Sequence, residues 1–318
     1  MSAGTIERHA LSAEQDEFLV ASLAGLEGTP KRIPGKYLWD EAGSVLFDRI
    51  CGDPDYYPTK CETALLPRVA QEIAAQIGAN ATIVEFGSGA SRKIRTLLDA
   101  LTDPARYVAI DISQEYLEAS LARLQPDYPS VEMFAVPADY TGPVRLPIEL
   151  AGHTTLGFFP GTSIGNFSPD EARGFLARAR DILGPSRFLI GADTTHDEER
   201  LKLAYGGCGG LMEAFHLNLL ARMNREIGAE IPLDAFRHEA RILQDPFRVE
   251  AHLVALRPQT WSLGGRKITF AAGDSVRTDT SHKYDPQTFD RLAVESGWRL
   301  ERSWIDTFGF GLYLLATD

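Results

Sequence analysis

Short apolar runs alternate with longer amphipathic segments from about residue 60 to residue 193. The apolar runs predict five strands, at residues 82–86, 106–110, 131–135, 155–160 and 187–190. The amphipathic segments predict helices at residues 61–77, 91–101, 114–124 and 169–183. Strands that alternate with helices of this length pair in parallel, so the pattern predicts a doubly wound α/β sheet.

The pattern changes after residue 193. Residues 197–228 have a helical pattern that is interrupted by glycines at 206–210. Residues 248–255 and 267–272 alternate between apolar and polar side chains, which predicts an antiparallel pair joined near Gly264-Gly265. This region therefore does not continue the strand–helix alternation.

The chain closes with a predicted helix at residues 285–296 and strands at 299–304 and 311–316. A terminal antiparallel hairpin would extend the otherwise parallel sheet at its edge. Residues from about 195 to 284 then form an insertion, which we expect to pack with the N-terminal segment. The sequence thus predicts two domains, one of residues 61–194 plus 285–318 and one of residues 1–60 plus 195–284.

A glycine turn follows the first predicted strand in the run Glu85-Phe-Gly-Ser-Gly89. Gly87 and Gly89 have no side chain to keep a ligand from the backbone, and the next helix offers free N–H groups. Asp111 ends the second predicted strand, where a carboxylate can accept hydrogen bonds from both ribose hydroxyls of a nucleoside. The E-x-G-x-G spacing favours S-adenosylmethionine over NAD, while an ordinary tight turn between strand and helix is the alternative.

Composition excludes several classes of partner. The 318 residues carry a formal net charge of −12, and lysine and arginine are scattered along the chain, which argues against nucleic acid and membrane surfaces. No segment has the length of a membrane span, and the first residues show no apolar leader. Three cysteines without metal or redox spacing fit a reducing cytoplasm, and the seven histidines form no metal-binding motif. We expect a cytoplasmic protein without a catalytic metal.

Gly161-Thr-Ser-Ile-Gly165 matches the G-x-S-x-G pattern of serine hydrolases. In that interpretation Ser163 is the nucleophile, and Asp193 and His282 are candidate partners. A hydrolase would leave the glycine turn and Asp111 without a role. The competing hypothesis is that this loop follows the fourth strand and that the amide of Asn166 orients an amine and a carboxylate together.

Two further segments offer candidate ligand contacts. Asp139-Tyr140 follows the third strand, where an acid can accept from an adenine amino group and a ring can pack beside the base. Tyr56 lies in a loop rich in proline and tyrosine and either belongs to the core or presents its phenol to a pocket. His216 lies in an apolar helical run and is expected to be a hydrogen-bonded structural histidine. Residues 279–284 are expected to form a polar loop.

Taken together, these segments resemble the histidine Nα-methyltransferases that form hercynine on the route to ergothioneine. The resemblance covers nearly the whole chain, and its most specific stretches are Tyr-Tyr-Pro-Thr at 56–59 and Ser-Ile-Gly-Asn at 163–166. It also includes residues 36–48, 203–205, 215–225 and 278–284. It implies a class I, Rossmann-like methyltransferase sheet with a second α+β domain that binds the substrate.

The resemblance also implies roles for individual residues. The positions at which the family holds S-adenosylmethionine are Gly87, Lys93, Asp111, Asp139 and Tyr140. The positions at which it grips the amino and carboxylate groups of the amino acid are Tyr56, Asn166 and Tyr205, and Asp279 and Ser281 match positions that hydrogen-bond the imidazole. The expected reaction is three successive methyl transfers to the neutral α-amine of L-histidine by a monomer.

Four positions depart from the family pattern. Asp279 stands where glutamate is usual, Trp39 where tyrosine is usual, His216 where asparagine is usual and Ala251 where methionine lines the pocket. The changes at Ala251 and Asp279 remove volume, so a larger substrate such as a ring-substituted histidine or tryptophan is the alternative. A contact the size of one methylene group is worth only about 1–3 kcal/mol, so these departures alone do not decide the substrate. Histidine remains the favoured substrate, because an acid and a hydroxyl are still expected to face its ring.

No strong general base is evident for the amine proton. An ammonium group has no lone pair, so the amine has to lose a proton before each transfer. We expect Tyr56 and Asn166 to orient the amine rather than to titrate, and the proton to leave through water.

Overall fold

A computed structural model of the chain describes residues 12–89 and 91–317. The first residues of the chain were expected to lack an apolar leader, and residues 1–11 lie outside the described range. Within the described residues, no helix combines the length and the apolar character needed to cross a membrane.

A seven-stranded sheet forms the centre of the fold. Its strands are β1 (Thr82–Phe86), β2 (Arg106–Asp111), β3 (Glu132–Pro137), β4 (Thr155–Phe159), β5 (Arg187–Asp193), β11 (Arg299–Ile305) and β12 (Phe310–Ala316). Their order across the sheet is β11-β12-β5-β4-β1-β2-β3. Strands β1 to β5 pair in parallel, while β12 is antiparallel to β5 and β11 is antiparallel to β12. The predicted α/β sheet with a terminal antiparallel hairpin is confirmed.

Helices cover both faces of this sheet, because the strands alternate their buried side chains between two apolar clusters. Ile83 and Tyr107 face the cluster to which α3 (Tyr57–Ile77), α4 (Lys93–Ala100) and α5 (Gln114–Leu124) contribute. Val84 and Val108 face the opposite cluster, which contains residues of α6 (Pro169–Leu183) and α9 (Pro286–Glu295). Burial on both faces explains the continuous apolar runs of the central strands.

Helix α3 begins at Tyr57, four residues before the predicted start. Pro58 lies in its first turn, where the missing backbone N–H would have no helical partner, so the proline does not interrupt the helix. Helix α6 begins at Pro169, as predicted, with Ser168 and Glu171 in a capping box.

The remaining elements form a second layer beside the carboxyl ends of the central strands. Its helices are α1 (Ala13–Glu27), α2 (Glu41–Gly52), α7 (Glu198–Gly206) and α8 (Leu211–Ile227). An antiparallel sheet in the order β10-β7-β6 packs with them. Its strands are β6 (Phe236–Gln244), β7 (Phe247–Ala255) and β10 (Ser275–His282), and a separate hairpin consists of β8 (Gln259–Leu263) and β9 (Arg266–Phe270).

The predicted pairing within the insertion is wrong. Strand β7 pairs with β6 and β10, and the turn at Gly264-Gly265 joins β8 to β9. Positive φ angles of 55° and 78° at these glycines suit a tight hairpin turn between two short strands. Strand β6 was not predicted, because it is rich in charged and polar side chains that weaken the apolar pattern of a strand. Asp279 and Ser281 lie in strand β10, so the expected polar loop begins only after His282.

The junction between β5 and the loop after β4 has no room for a side chain. A Cβ atom added to Gly191 would lie 2.2 Å from the carbonyl oxygen of Gly161. We expect Gly191→Ala to lower the free energy of unfolding by about 1–3 kcal/mol, because either backbone has to move. Urea denaturation measures the change. Gly52→Ala is the control, since a Cβ there meets nothing within 4 Å; an equal effect of both variants would contradict the prediction.

Candidate functional site

A cavity of about 450 Å³ opens at the carboxyl ends of β1, β2 and β4. This is the edge of a parallel sheet at which ligands of doubly wound proteins bind. Helices α2 and α8 and strands β7 and β10 close the other side. The predicted site residues that line the cavity are Tyr56, Gly87, Lys93, Asp111, Tyr140, Asn166, Tyr205, Asp279 and Ser281.

The glycine turn and Asp111 form one hydrogen-bonded unit. Gly87 and Gly89 have φ angles of 69° and 50°, which favour glycine, and the Gly89 N–H donates to Asp111 Oδ2 at 3.0 Å. The N–H of Ser113 donates to Asp111 Oδ1 at 3.1 Å. Burial raises the pKa of Asp111, while these backbone donors oppose the shift. Each oxygen retains a lone pair that can accept from a ligand hydroxyl.

Lys93 is held by an acid that sequence reasoning missed. Glu62 lies on the buried face of α3, forms an ion pair with the ammonium of Lys93, and accepts from the Gly161 N–H at 2.8 Å. Burial works to lower the pKa of Lys93, but Glu62 outweighs it and the pKa is raised. The signal for this pair was an acid inside an apolar helical face, which requires a partner when buried. Lys93 thus stays charged beside the glycine turn.

Asp139 is the one predicted site residue outside the cavity lining. Its carboxylate accepts from the Lys36 ammonium at 3.1 Å and from the backbone N–H of Thr141 at 2.9 Å. Despite burial, Thr141 and Lys36 hold its pKa below the usual value. The neighbouring ring of Tyr140 lines the cavity and packs 5.6 Å from the ring of Phe159. The two residues therefore face different surroundings.

Four polar groups line the part of the cavity next to the second layer. Asn166 ends a 3-10 turn after β4 and is exposed. Its amide makes no hydrogen bond to another side chain among residues 12–89 and 91–317. The hydroxyls of Tyr205 and Ser281 lie 3.1 Å apart. Burial raises the pKa of Tyr56 well above its usual value, so its phenol remains protonated at neutral pH. This region offers hydroxyl and amide hydrogen bonds to a ligand.

Aromatic rings form a continuous wall beside these polar groups, a feature that sequence reasoning did not identify. The Phe47 ring lies 4.9 Å from Trp39, 5.7 Å from Phe215 and 5.8 Å from Tyr56. The Tyr56 ring in turn lies 6.1 Å from that of Tyr205. The members come from distant chain segments, so no local pattern reveals the wall. Ring faces of this kind can hold a cationic group.

Asp279 and Ala251 also line the cavity, and they face each other in the β7–β10 register. Burial raises the pKa of Asp279 to about 7, against opposition from the Thr280 N–H. His216, which also lines the cavity, hydrogen-bonds Thr278 at 2.8 Å and stacks on His238. Burial lowers its pKa well below the usual value, so it is a neutral, hydrogen-bonded histidine as expected.

The hydrolase arrangement is not assembled. The Ser163 hydroxyl donates to the carbonyl of Pro160 at 3.2 Å, and Asp193 is paired with Lys283 at 2.8 Å. No hydrogen bond joins Ser163 to His282 in the part of the chain that the structure describes. Nor do the described residues contain a cluster of histidine, cysteine or acidic side chains that could hold a metal ion.

The sheet order, the glycine turn and the acid at the end of β2 define a class I, S-adenosylmethionine-dependent methyltransferase. The family model described as "Histidine-specific methyltransferase, SAM-dependent" matches residues 18–317. The chain belongs to this family.

Three curated relatives are similar to the chain over most of its length. "Histidine N-alpha-methyltransferase" of Mycolicibacterium smegmatis is 37% identical and is aligned over 92% of each chain. "Ergothioneine biosynthesis protein 1" of Neurospora crassa is 31% identical over 90% of this chain and 33% of its own length. "4-dimethylallyltryptophan N-methyltransferase easF" of Epichloe festucae var. lolii is 29% identical over 93% of each chain.

The raised pKa of Asp279 has a consequence for stability. An acid with a higher pKa in the folded state than in the unfolded chain destabilises the fold as the pH rises between the two values. We expect Asp279→Asn to raise the melting temperature, with a gain that grows from pH 5 to about pH 7 and is constant above. Calorimetry of the ligand-free protein across this range measures the gain.

Asp181→Asn is the matched control, because the side chain of Asp181 is 72% exposed. We expect it to show no such pH-dependent gain. If the gain from Asp279→Asn were independent of pH, the assigned burial of a titrating carboxyl would be wrong.

Proposed function

We propose that the protein transfers methyl groups to the α-amine of a free aromatic amino acid, and that L-histidine is converted in three steps to hercynine. One observation carries the proposal: a single cavity is lined by the glycine turn, by the polar groups of Tyr56, Asn166, Tyr205 and Ser281, and by the carboxyl group of Asp279. S-adenosylmethionine supplies an electrophilic methyl group when it is bound.

The residues at the glycine turn fit such a donor. The proposed cofactor-binding residues are Gly87, Lys93, Asp111, Asp139 and Tyr140. Asp111 has free lone pairs for ribose hydroxyls, and Lys93 offers a cation for a carboxylate. The Tyr140 ring, 3.5 Å from where a Cβ of Gly87 would lie, supplies an apolar surface for a base. Asp139 would reach the adenine amino group from outside the lining, in exchange for part of its contact with Lys36.

The proposed substrate-binding residues are Tyr56, Asn166, Tyr205, Asp279 and Ser281. Asn166 can accept from the amine and donate to the carboxylate with one amide group. Tyr56 stays protonated and therefore orients the amine instead of removing its proton. We assign Tyr56 and Asn166 the catalytic task of alignment, since placement alone can lower a transfer barrier by several kcal/mol, roughly 7–11 in model reactions.

The aromatic wall suits the product. Each transfer adds an apolar methyl group, and the final trimethylammonium group keeps its charge without any N–H to donate. Phe47, Phe215 and Trp39 offer ring faces to such a cation, a contact worth about 0.5–2 kcal/mol.

Asp279, Ser281 and Ala251 bear on the choice of substrate. Asp279 and Ser281 offer hydrogen bonds to an imidazole, which supports histidine. Ala251 and the short side chain of Asp279 leave room for a larger ring, and one curated relative is named for a prenylated tryptophan. A ring-substituted histidine or tryptophan is therefore the second candidate substrate.

We also propose the division into two domains given by residues 61–194 plus 285–318 and residues 1–60 plus 195–284. Backbone hydrogen bonds from Ile33 to Arg277 and from Arg277 to Lys31, at 2.9 and 3.0 Å, tie the N-terminal segment to the insertion. The site lies between these parts of one chain, so we expect a monomer to be active. A cytoplasmic location is part of the proposal, in line with free cysteines at 51, 61 and 208.

Mass spectrometry of a mixed amino-acid panel tests the function. The protein is incubated with S-adenosylmethionine, and we expect L-histidine to gain up to three methyl masses. Methylation of tryptophan or a substituted histidine alone would replace histidine as the substrate. Absence of any methylated amino acid, together with fluorophosphonate labelling of Ser163, would overturn the proposal in favour of a hydrolase.

The proposed cofactor contacts and the proposed substrate contacts can be tested separately. Asp111→Ala is expected to weaken binding of S-adenosylhomocysteine about 10- to 100-fold, the value of a hydrogen bond to a charged group. Asn166→Ala is expected to weaken L-histidine binding at least about tenfold while S-adenosylhomocysteine binding stays within about twofold. Titration calorimetry measures both, and each variant serves as the control of the other. Wild-type histidine binding by Asn166→Ala would refute the head-group assignment.

A further inference from the structure

A buried lysine lies next to two of the polar groups that line the cavity, the hydroxyls of Tyr205 and Ser281. Lys283 follows strand β10, and its side chain is 0% exposed. Its ammonium lies 2.8 Å from Asp193 Oδ2, 2.7 Å from the Tyr205 hydroxyl and 3.0 Å from the Ser281 hydroxyl. An ammonium has three N–H donors, so these three acceptors use all of them. Lys283 has no donor left for a ligand.

Asp193 holds this lysine in its charged form. The phenol of Tyr57 also donates to Asp193 Oδ2, and the Thr195 N–H donates to Oδ1 at 3.0 Å. Burial works to lower the pKa of Lys283, but Asp193 and Tyr205 outweigh it and the pKa is raised. Tyr57 is next to Tyr56 in the chain. The hydrogen bond from Tyr57 to Asp193 therefore also holds the segment that carries the Tyr56 phenol.

The hydroxyls of Tyr205 and Ser281 have only two protons between them. They lie 3.1 Å apart, so one donates to the other and a single proton remains for a ligand. Each of the two oxygens uses one lone pair to accept from Lys283, so this lone pair is not available to the substrate amine. A hydroxyl that accepts from a cation is also a stronger donor. The cluster therefore presents one strengthened O–H donor to the cavity.

We infer that Lys283 is a positioning residue that makes Tyr205 a selective donor to the substrate carboxylate and leaves Ser281 an acceptor for a ring N–H. This inference rests on the proposed function and extends it to the form of substrate that binds. When Ser281 donates to Tyr205 and Tyr205 to the carboxylate, Ser281 has no proton left for the ring. The site then discriminates against amino acids whose carboxylate is replaced by a neutral group.

Binding to the complex with S-adenosylhomocysteine tests the inference without relying on turnover. Titration calorimetry compares L-histidine with L-histidine amide, in which the carboxylate is neutralised, for the wild type and Lys283→Met. We expect Lys283→Met to lower the preference for L-histidine about tenfold, while S-adenosylhomocysteine binding stays within about twofold. A loss of fold alone would weaken both ligands equally and leave the preference unchanged.

Further variants keep the test decisive. Lys283→Met leaves Asp193 buried without its cation, so Lys283→Met combined with Asp193→Asn provides a neutral pair in which the same loss of preference is expected. In a Tyr205→Phe background the effect of Lys283→Met on the preference is expected to shrink to within about twofold, because the hydroxyl through which it acts is gone. Lys202→Met, an exposed lysine on α7, is the matched control and is expected to leave the preference unchanged.

Three results would overturn the inference. They are an unchanged preference in both Lys283 variants, an effect of equal size in the Tyr205→Phe background, and the same loss in Lys202→Met. Failure of the wild-type complex to bind L-histidine would instead overturn the proposed substrate, and the inference with it.

Discussion

The ion pair between Asp193 and Lys283 joins the two sheets of the protein at the site. Asp193 ends β5 of the central sheet, and Lys283 follows β10 of the three-stranded sheet. Both side chains are fully buried, and removal of one partner from such a pair typically costs about 3–5 kcal/mol. The pair thereby fixes the end of β5 relative to the segment that follows β10.

A close backbone contact reinforces this junction. A Cβ atom at Gly165 would lie 2.5 Å from the His282 carbonyl oxygen, so only glycine lets the turn that carries Asn166 reach strand β10. The contact and the ion pair lie within two residues of each other on β10 and its extension. Together they bring the amide of Asn166, the hydroxyl of Ser281 and the phenol of Tyr205 to one end of the cavity.

The sequence predicted the central sheet well, because parallel strands buried on both faces give apolar runs that interrupt an amphipathic pattern. It predicted the second layer poorly. Strand β6 is half-exposed and carries Arg237, Glu239 and Arg241, so its apolar signal is weak, and the true partner of β7 went unrecognised. A hairpin turn at Gly264-Gly265 was correctly identified as a turn but assigned to the wrong strands.

The site shows the same division between local and non-local information. Gly87, Asp111 and Asn166 follow strands, so their position at one edge of the sheet follows from the topology. Glu62, Lys283 and the aromatic wall act through contacts between segments far apart in sequence, which no local pattern encodes. The resemblance to a known family supplied Tyr205, Asp279 and Ser281 as candidates, while their mutual contacts required the fold.

The chemical groups at the proposed substrate site limit how the methyl transfer can be accelerated. The residues proposed to hold the amine, Tyr56 and Asn166, offer a phenol and an amide rather than an ionised base, since burial raises the pKa of Tyr56 and its phenol stays protonated. The proposed rate enhancement therefore depends on alignment of the amine with the donor methyl. The crystal structure of the protein with S-adenosylhomocysteine and L-histidine tests this most directly. We expect the nucleoside beside Gly87 and Asp111, the amino group at Tyr56 and Asn166, and the ring at Asp279. An amino acid bound with its amine turned away from the sulfur would contradict it.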